Sequence, residues 1–518
     1  MEKNKISKGK EILAILLLTM VIGTGTLAWI VWSSKDNTKM NVTIGDLADV
    51  SFKTGNDINI SNLSPSFYYD DGALTEFSVR KKKGLTTELN TSIYLDITSI
   101  SDELKNDNFK YVLLSSRDGN TYNEVISSSF KDASIGKLSI VTDTPLTDGK
   151  TYYKFYIWID GNNENNETMQ GKSLKGTLNV EVSTPPVNAV TLVEGLDTGS
   201  VGDDGSGVYA VHHDAIPAES SATGSTIPAV TDYRYYGPSP DNYICLDMEG
   251  QSTCPDKHLY RIIGSIYEEK ENTNRIKVIK ATPLTDGTTK GFSWDFTSSG
   301  SYSNIWATIT SGNYSNSLTS GSQLMKLLNS GLWWNGTSGS YYNNSTTATN
   351  VNFTNYKLSD KAKSYITTSR YYLGGYNTAY KVMTNQFYTY ERGTTRYDTN
   401  RPLYWDGMVG LMYPSDYGYA AGNTCVTGTD PNNYDGGCKN KDWLWMTTSS
   451  DYSNSAEWLM SSVTDDGTTF RAGSLGFVEG DFDVFSSYFH SVRPTFYLTS
   501  TTTIVSGTGT STDPYILS

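Results

Sequence analysis

Polar and apolar residues alternate in short runs along much of this chain. Ser92-Ile93-Tyr94-Leu95-Asp96-Ile97 puts Ile93, Leu95 and Ile97 on one face at a period of two, and Tyr152 to Ile159 (YYKFYIWI) is a short apolar run. Turn pairs such as Asp148-Gly149 and Asp160-Gly161 punctuate these stretches. Strands bounded in this way predict a β-sandwich over residues 40–185. Thr184-Pro185-Pro186 then breaks the pattern, and residues 186–230, rich in Gly, Ser, Ala and Asp, read as a linker with weak strand content. A second domain is expected over residues 231–500. Its opening segments DYRYYGPSPDNYICL, KHLYRIIGSIYEE and NRIKVIKATP predict three strands in a meander. Ser322 is placed to cap a short helix on which Leu324, Leu327 and Leu328 share a face, and Ser359 to cap another running into Ile366. Residues 501–518 read as a C-terminal tail.

The first 35 residues have a different character. Lys3, Lys5, Lys8 and Lys10 precede an uncharged apolar run from Ile12 to Trp32. A basic segment ahead of an apolar one partitions into a bilayer and sends the remainder of the chain across it. Two forms fit. Thr26-Leu27-Ala28 offers small residues for a cleaved signal peptide, while an apolar stretch of about 21 residues is long enough for an uncleaved anchor. Either way the protein is expected to be exported, at the cell surface or secreted, with the membrane as a partner through this segment alone.

Composition sharpens this picture. At 518 residues the chain exceeds the ~250 to 300 residues at which a single core stops growing, so at least two folded units are expected. Hydrophobic residues make up only 37%, but 37 Tyr, 16 Phe and 11 Trp supply bulky apolar surface, and 46 Gly against 15 Pro point to many tight turns. The fold class is therefore mainly β. A formal net charge of −14 argues against nucleic acid as a partner, because neutralising phosphates takes clustered Lys and Arg.

Four cysteines fit an oxidising compartment. Cys245 and Cys254 lie nine apart and Cys425 and Cys438 thirteen apart, so the economical pairing is two local disulfides, with free thiols the alternative. No metal is expected. The histidines are His212, His213, His258 and His490, and none joins a Cys-x-x-Cys at zinc-ligand spacing. Asp160-Gly161-Asn162-Asn163 lacks the Gly and the terminal carboxylate of an EF-hand loop and reads as an Asx-rich turn. Nor is catalysis or a cofactor expected. No serine elbow, P-loop or dinucleotide fingerprint is present, and acidic pairs such as Asp465-Asp466 or Asp481 with Asp483 are what any acidic chain offers.

Two resemblances add to this reading. The stretch LTDGKTYYKFYIWIDGNNENNETMQGKSLKGTLNVEV, with GTGTLAWIVWSS in the apolar segment, resembles the camelysin and biofilm-fibre type of exported protein, in which a signal peptide precedes a small β-sandwich. In the last third, VGLMYPSDYGYAAG (Val409 to Gly422), WLWMTTSS, EWLMSS (Glu457 to Ser462) and SVRPTFYL (Ser491 to Leu498) resemble a group of exported surface proteins of gut Firmicutes. That group is similar, more distantly, to the C-type-lectin-like fold of formylglycine-generating enzymes. The resemblance implies a compact α+β domain ending in a strand that returns to the core, followed by a short tail like GTGTSTDPYIL. The oxidase chemistry of those enzymes is not expected, because the cysteines here sit as short loop staples.

The segment GFVEGDFDVFSSYFHSVRP then stands out. Asp481, Phe482, Asp483, Phe485, Ser486, Ser487, Tyr488, Phe489 and His490 mix rigid aromatics with short polar groups, the chemistry of an antibody binding loop. Diversity-generating retroelements randomise this part of C-type-lectin-like domains, so the resemblance implies that these are variable, ligand-contacting positions. The competing reading is an ordinary strand and loop with core aromatics. Trp333-Trp334 and Trp443 with Trp445 are expected in the core, and Arg493 is expected to hold the start of the last strand through a buried ion pair or carbonyl contacts. The function expected is non-enzymatic binding of an extracellular glycan or protein ligand, with a structural subunit of an extracellular fibre or biofilm matrix as the alternative.

Overall fold

A computed structural model describes residues 40–518 of the chain apart from 45–46, 86–87, 163–165, 200–201, 204, 302, 309–319, 344, 398, 400, 435, 446–455, 465–466, 474 and 484–489. The protein is mainly β, with 39% strand and 16% helix. No helix among the described residues is long and apolar enough to cross a membrane, and the Ile12–Trp32 run lies outside them. The chain divides into two compact units, Met1–Pro186 and Val187–Ser518.

The first unit is a sandwich of two sheets. One runs in the order Met40–Ile44, Ala48–Phe52, Ala73–Lys81, Lys150–Asp160, Phe109–Ser116, Asn123–Ser129, and Pro65–Ser66 joins the end of Lys150–Asp160 in parallel. The other runs Asp57–Ile60, Leu174–Ser183, Leu89–Ile100, Gly136–Leu146. Period-two alternation turns Ile93, Leu95 and Ile97 inward to meet Phe77, Phe155 and Ile157 of the facing sheet in one core. The run YYKFYIWI escapes strict alternation because its strand is covered on both sides. Tyr153, Phe155, Ile157 and Ile159 enter the sandwich core, while Tyr156 and Trp158 pack with Val112, Leu114 and Tyr122 on the outer face.

The second unit is organised around the strand Leu259–Glu268. It pairs with Thr273–Lys280 along its length and with both Val230–Tyr236 and Tyr243–Cys245 on the other side. The three segments are thus consecutive antiparallel neighbours as in a meander, but the first splits into two separate strands, Val230–Tyr236 and Tyr243–Cys245, that share one neighbour. The register shifts between Ile262 and Gly264. A Cβ on Gly264 would lie 2.3 Å from the Tyr233 carbonyl, so glycine alone lets the neighbouring strand approach there. Thr495–Tyr497 pairs with Thr273–Lys280 and closes the sheet against the chain's last third.

Residues 187–230 and 501–518 differ from the sequence expectation. Val187–Asn188 pairs with Thr503–Ser506, which pairs in turn with Tyr515–Leu517, and that strand lies parallel to Tyr243–Cys245. Asn188 caps the helix Ala189–Gly195, whose Ala189 and Val193 enter the core, and Gly207–His213 pairs with Val230–Tyr236. The expected linker and tail are therefore parts of one sheet. Two- to four-residue strands such as Val187–Asn188, Thr503–Ser506 and Tyr515–Leu517 carry almost no periodicity, and the pairings of Val187–Asn188 with Thr503–Ser506 and of Tyr515–Leu517 with Tyr243–Cys245 join distant parts of the chain. The local helix signals are realised as drawn. Ser322 Oγ accepts from Met325 N at the start of Gln323–Asn329, where Leu324, Leu327 and Leu328 are buried, and Ser359 Oγ accepts from Ala362 N.

The core of this unit also holds charge. Asp416, in the helix Pro414–Ala420, accepts from Lys277 Nζ at 2.5 Å and from Arg234 Nη1 at 2.9 Å, and all three side chains are almost fully buried. Burial alone would raise the Asp416 pKa, yet the two cations hold it down to about 2. Removing one partner of such a set leaves buried charge unmatched, at a cost of about 3 to 5 kcal/mol. Asp416→Asn should therefore lower the unfolding free energy of the second unit by that amount, read as a shift in the urea midpoint of tryptophan fluorescence. An unchanged midpoint would mean that the helix is held by apolar packing alone.

Candidate ligand-binding segment

The candidate segment grows from a three-stranded sheet, Glu457–Ser462, Thr468–Ala472 and Val478–Asp483. Asp481, Phe482 and Asp483 belong to its last strand, where Phe482 pairs with Thr469 and Asp483 with Thr468. Phe485, Ser486, Ser487, Tyr488 and Phe489 lie outside the described residues. The chain is held again at His490, whose carbonyl accepts from Phe292 N at 2.9 Å, and at Ser491, which bridges to Glu457.

His490 does not face a ligand. Its side chain is fully buried, edge-on to Trp458 at 4.2 Å between ring centres. Arg471 Nη1 lies 3.2 Å from its Nε2, and since a guanidinium can only donate, Nε2 accepts and the proton sits on Nδ1. The sequence placed His490 with the contact residues because a histidine among aromatics and serines has the same composition in a core as on a surface. Its role here is to anchor one end of the segment.

A second anchor lies three residues further on. Arg493 Nε donates to both oxygens of Glu457 at 2.9 and 3.0 Å, and Nη2 donates to Glu457 Oε2 at 2.8 Å and to the Leu444 carbonyl at 2.7 Å. Both side chains are buried, so Arg493 combines the ion pair and the carbonyl contact expected of it. Trp333 and Trp443 are buried in the core, with Trp334 and Trp445 packed against it.

Both cysteine pairs are disulfides, Cys245–Cys254 and Cys425–Cys438, and they point to an oxidising compartment. Beside the first, Asp247, Glu249 and His258 bring ligand-type atoms within 4.8 Å of one another, a juxtaposition that sequence spacing does not announce. Protein groups already serve this cluster. Glu249 Oε1 accepts from Lys257 at 2.8 Å and lies 3.1 Å from His258 Nε2, while Asp247 accepts from Ser359 Oγ at 2.6 Å. The Lys257 ammonium thus already pairs with the Glu249 carboxylate. Asp160 and Asn162 form the expected Asx turn, with Asn162 N donating to Asp160 Oδ1 at 3.0 Å.

One surface feature escaped sequence reading. Phe67, Tyr68 and Tyr69 form an exposed aromatic run beside Trp158. Three consecutive aromatics followed by Asp70-Asp71, outside any alternating run, were the available signal.

The anchor predicts a pH dependence. Burial and the Arg471 charge push the His490 pKa down to about 3, whereas an unfolded histidine titrates near 6.5. Between these values the unfolded chain binds the extra proton, so this contribution to stability is intact above pH 6.5 and is lost as pH falls towards 3. The advantage of wild type over His490→Gln in unfolding free energy should shrink across that window. A difference independent of pH would show that the imidazole is not held neutral. Compared with known proteins, the chain matches no family model and no curated protein.

Proposed function

We propose that this is an exported, non-enzymatic surface protein whose second unit presents the segment from Asp481 to Phe489 to an extracellular glycan or protein ligand. The observation that carries the reading is the way the segment is mounted. One end leaves a paired strand at Asp483, and the other is fixed by the buried His490 and by Arg493, which is paired with Glu457. A loop framed by rigid supports can change its side chains without loss of the fold, which a diversified binding loop requires. The resemblance of the last third to C-type-lectin-like surface proteins and the two disulfides of an oxidising compartment point the same way. With the anchors excluded, the contact positions are Asp481, Phe482, Asp483, Phe485, Ser486, Ser487, Tyr488 and Phe489.

One observation favours the second reading, a fibre or matrix subunit. In the first unit, the edge strand Asn123–Ser129 is largely exposed, and Met40–Ile44 forms the opposite edge of the same sheet. Open edges are the sites at which strand exchange between copies would occur.

Replacing Phe485, Tyr488 and Phe489 together by serine should leave the thermal midpoint within a few degrees of wild type and abolish retention on arrayed host glycans and surface proteins. Retained binding, or loss of the fold, would overturn the loop assignment. A near-identical adenine-rich template repeat beside a reverse transcriptase is expected in the flanking DNA. In sedimentation velocity the exported chain should remain a monomer as concentration rises, whereas growing polymers would favour the fibre reading.

A further inference from the structure

The first unit carries a cleft with no part in the binding segment of the second. The segment Pro65–Ser66 runs parallel to the end of Lys150–Asp160, and the chain then turns over that strand through Phe67, Tyr68 and Tyr69. Gly72 makes this possible, since a Cβ there would lie 2.4 Å from the Ile157 carbonyl and 2.8 Å from Trp158 Cβ. The turn is therefore pressed onto the sheet. Tyr69 stands edge-on to Tyr156 and Trp158, with ring centres 5.2 and 6.1 Å away. Ser66 Oγ fixes the turn by donating to Asp71 at 2.5 Å and accepting from Tyr68 N at 3.1 Å.

The result is a cavity of about 420 Å³ with an aromatic wall and a polar rim, within the ~300 to 1,000 Å³ of small-molecule sites. Phe67 and Tyr68 remain 68% and 69% exposed, although rings of this size normally bury their faces. Opposite them, Asp160 is buried and held by Lys110 Nζ at 2.6 Å and by Asn162 Nδ2 at 2.8 Å, so its carboxylate is oriented before any ligand arrives. Asp70 and Asn162 stand exposed at the rim. Against the carboxylates of Asp70, Asp71 and Asp160 stands the ammonium of Lys110, and it is already engaged. That balance repels anions.

We infer that this cleft binds a neutral oligosaccharide, one sugar ring lying against the exposed faces of Phe67 and Tyr68 while its hydroxyls bond to Asp70, Asp160 and Asn162. A pyranose has an apolar C–H face and a polar edge of hydroxyls, and the cleft presents both complements side by side. Carboxylates and amides suit hydroxyls because they accept two bonds at once in a fixed plane. The acidic rim excludes uronic and sialic acids. A cation caged by the same rings is the competing ligand, disfavoured because a cage gains its strength from desolvation and this cleft is open to water.

The test uses the full exported chain on a microarray of neutral glycans, with choline and a trimethyl-lysine peptide as cationic probes and heparin as the anionic one. At least one neutral glycan should be retained. Tyr68→Ala and Phe67→Ala should weaken that retention about tenfold or more, the usual size for an aromatic anchor, while the thermal midpoint stays unchanged because both rings are exposed. The serine substitutions at Phe485, Tyr488 and Phe489 should leave it intact, which separates this site from the segment of the second unit. Retention of no neutral glycan, retention insensitive to Tyr68→Ala, or displacement by choline would each overturn the assignment.

Discussion

A carboxylate cut off from water must be matched by cations, and in the second unit Asp416 is matched twice. Lys277 comes from the strand Thr273–Lys280, Arg234 from Val230–Tyr236, and Asp416 itself from the helix Pro414–Ala420. One charge therefore joins two strands, which lie on opposite sides of Leu259–Glu268, to the helix. Arg234 also donates to Asp232, and Asp232 Oδ1 accepts from Tyr267 N, so the network continues into the central strand. Apolar packing could be rearranged around such a core, but a helix displaced by one turn would strand three buried charges.

The same logic recurs beside the candidate segment. Glu457 and Arg493 are buried together, and Arg493 Nη2 also donates to the Leu444 carbonyl. His490 sits between Trp458 and Arg471, kept neutral by its surroundings. These contacts tie the C-terminal flank of the candidate binding segment to the core.

The two units solve the problem of an aromatic-rich composition differently. In the second, tryptophans meet one another in the core, as Trp294 does with Trp306 and Trp458. In the first, part of the aromatic surface is turned outward, because the central strand Lys150–Asp160 has apolar residues on both faces and the outer face needs a cover. Tyr69 and Tyr122 provide it, and the rings adjoining Tyr69 remain open to solvent.

The period-two pattern of residues 92–97 determined which face of its strand enters the sandwich, and Cys spacing determined the two disulfides, because both depend on neighbours close in the chain. Helix starts at Ser322 and Ser359 were legible for the same reason, as was the structural role of Arg493 beside Pro494. Tertiary structure alone decided that Val187–Asn188, Thr503–Ser506 and Tyr515–Leu517 join the sheet of Tyr243–Cys245, since these strands are too short to carry a period and the sheet brings together the two ends of the unit. It alone decided that His490 is an anchor, that Asp247, Glu249 and His258 converge, and that Phe67 to Tyr69 stand beside Trp158 in a cleft. A side chain's chemistry is written in the sequence, but whether that chemistry meets water, a counter-ion or another ring depends on which distant strand folds against it.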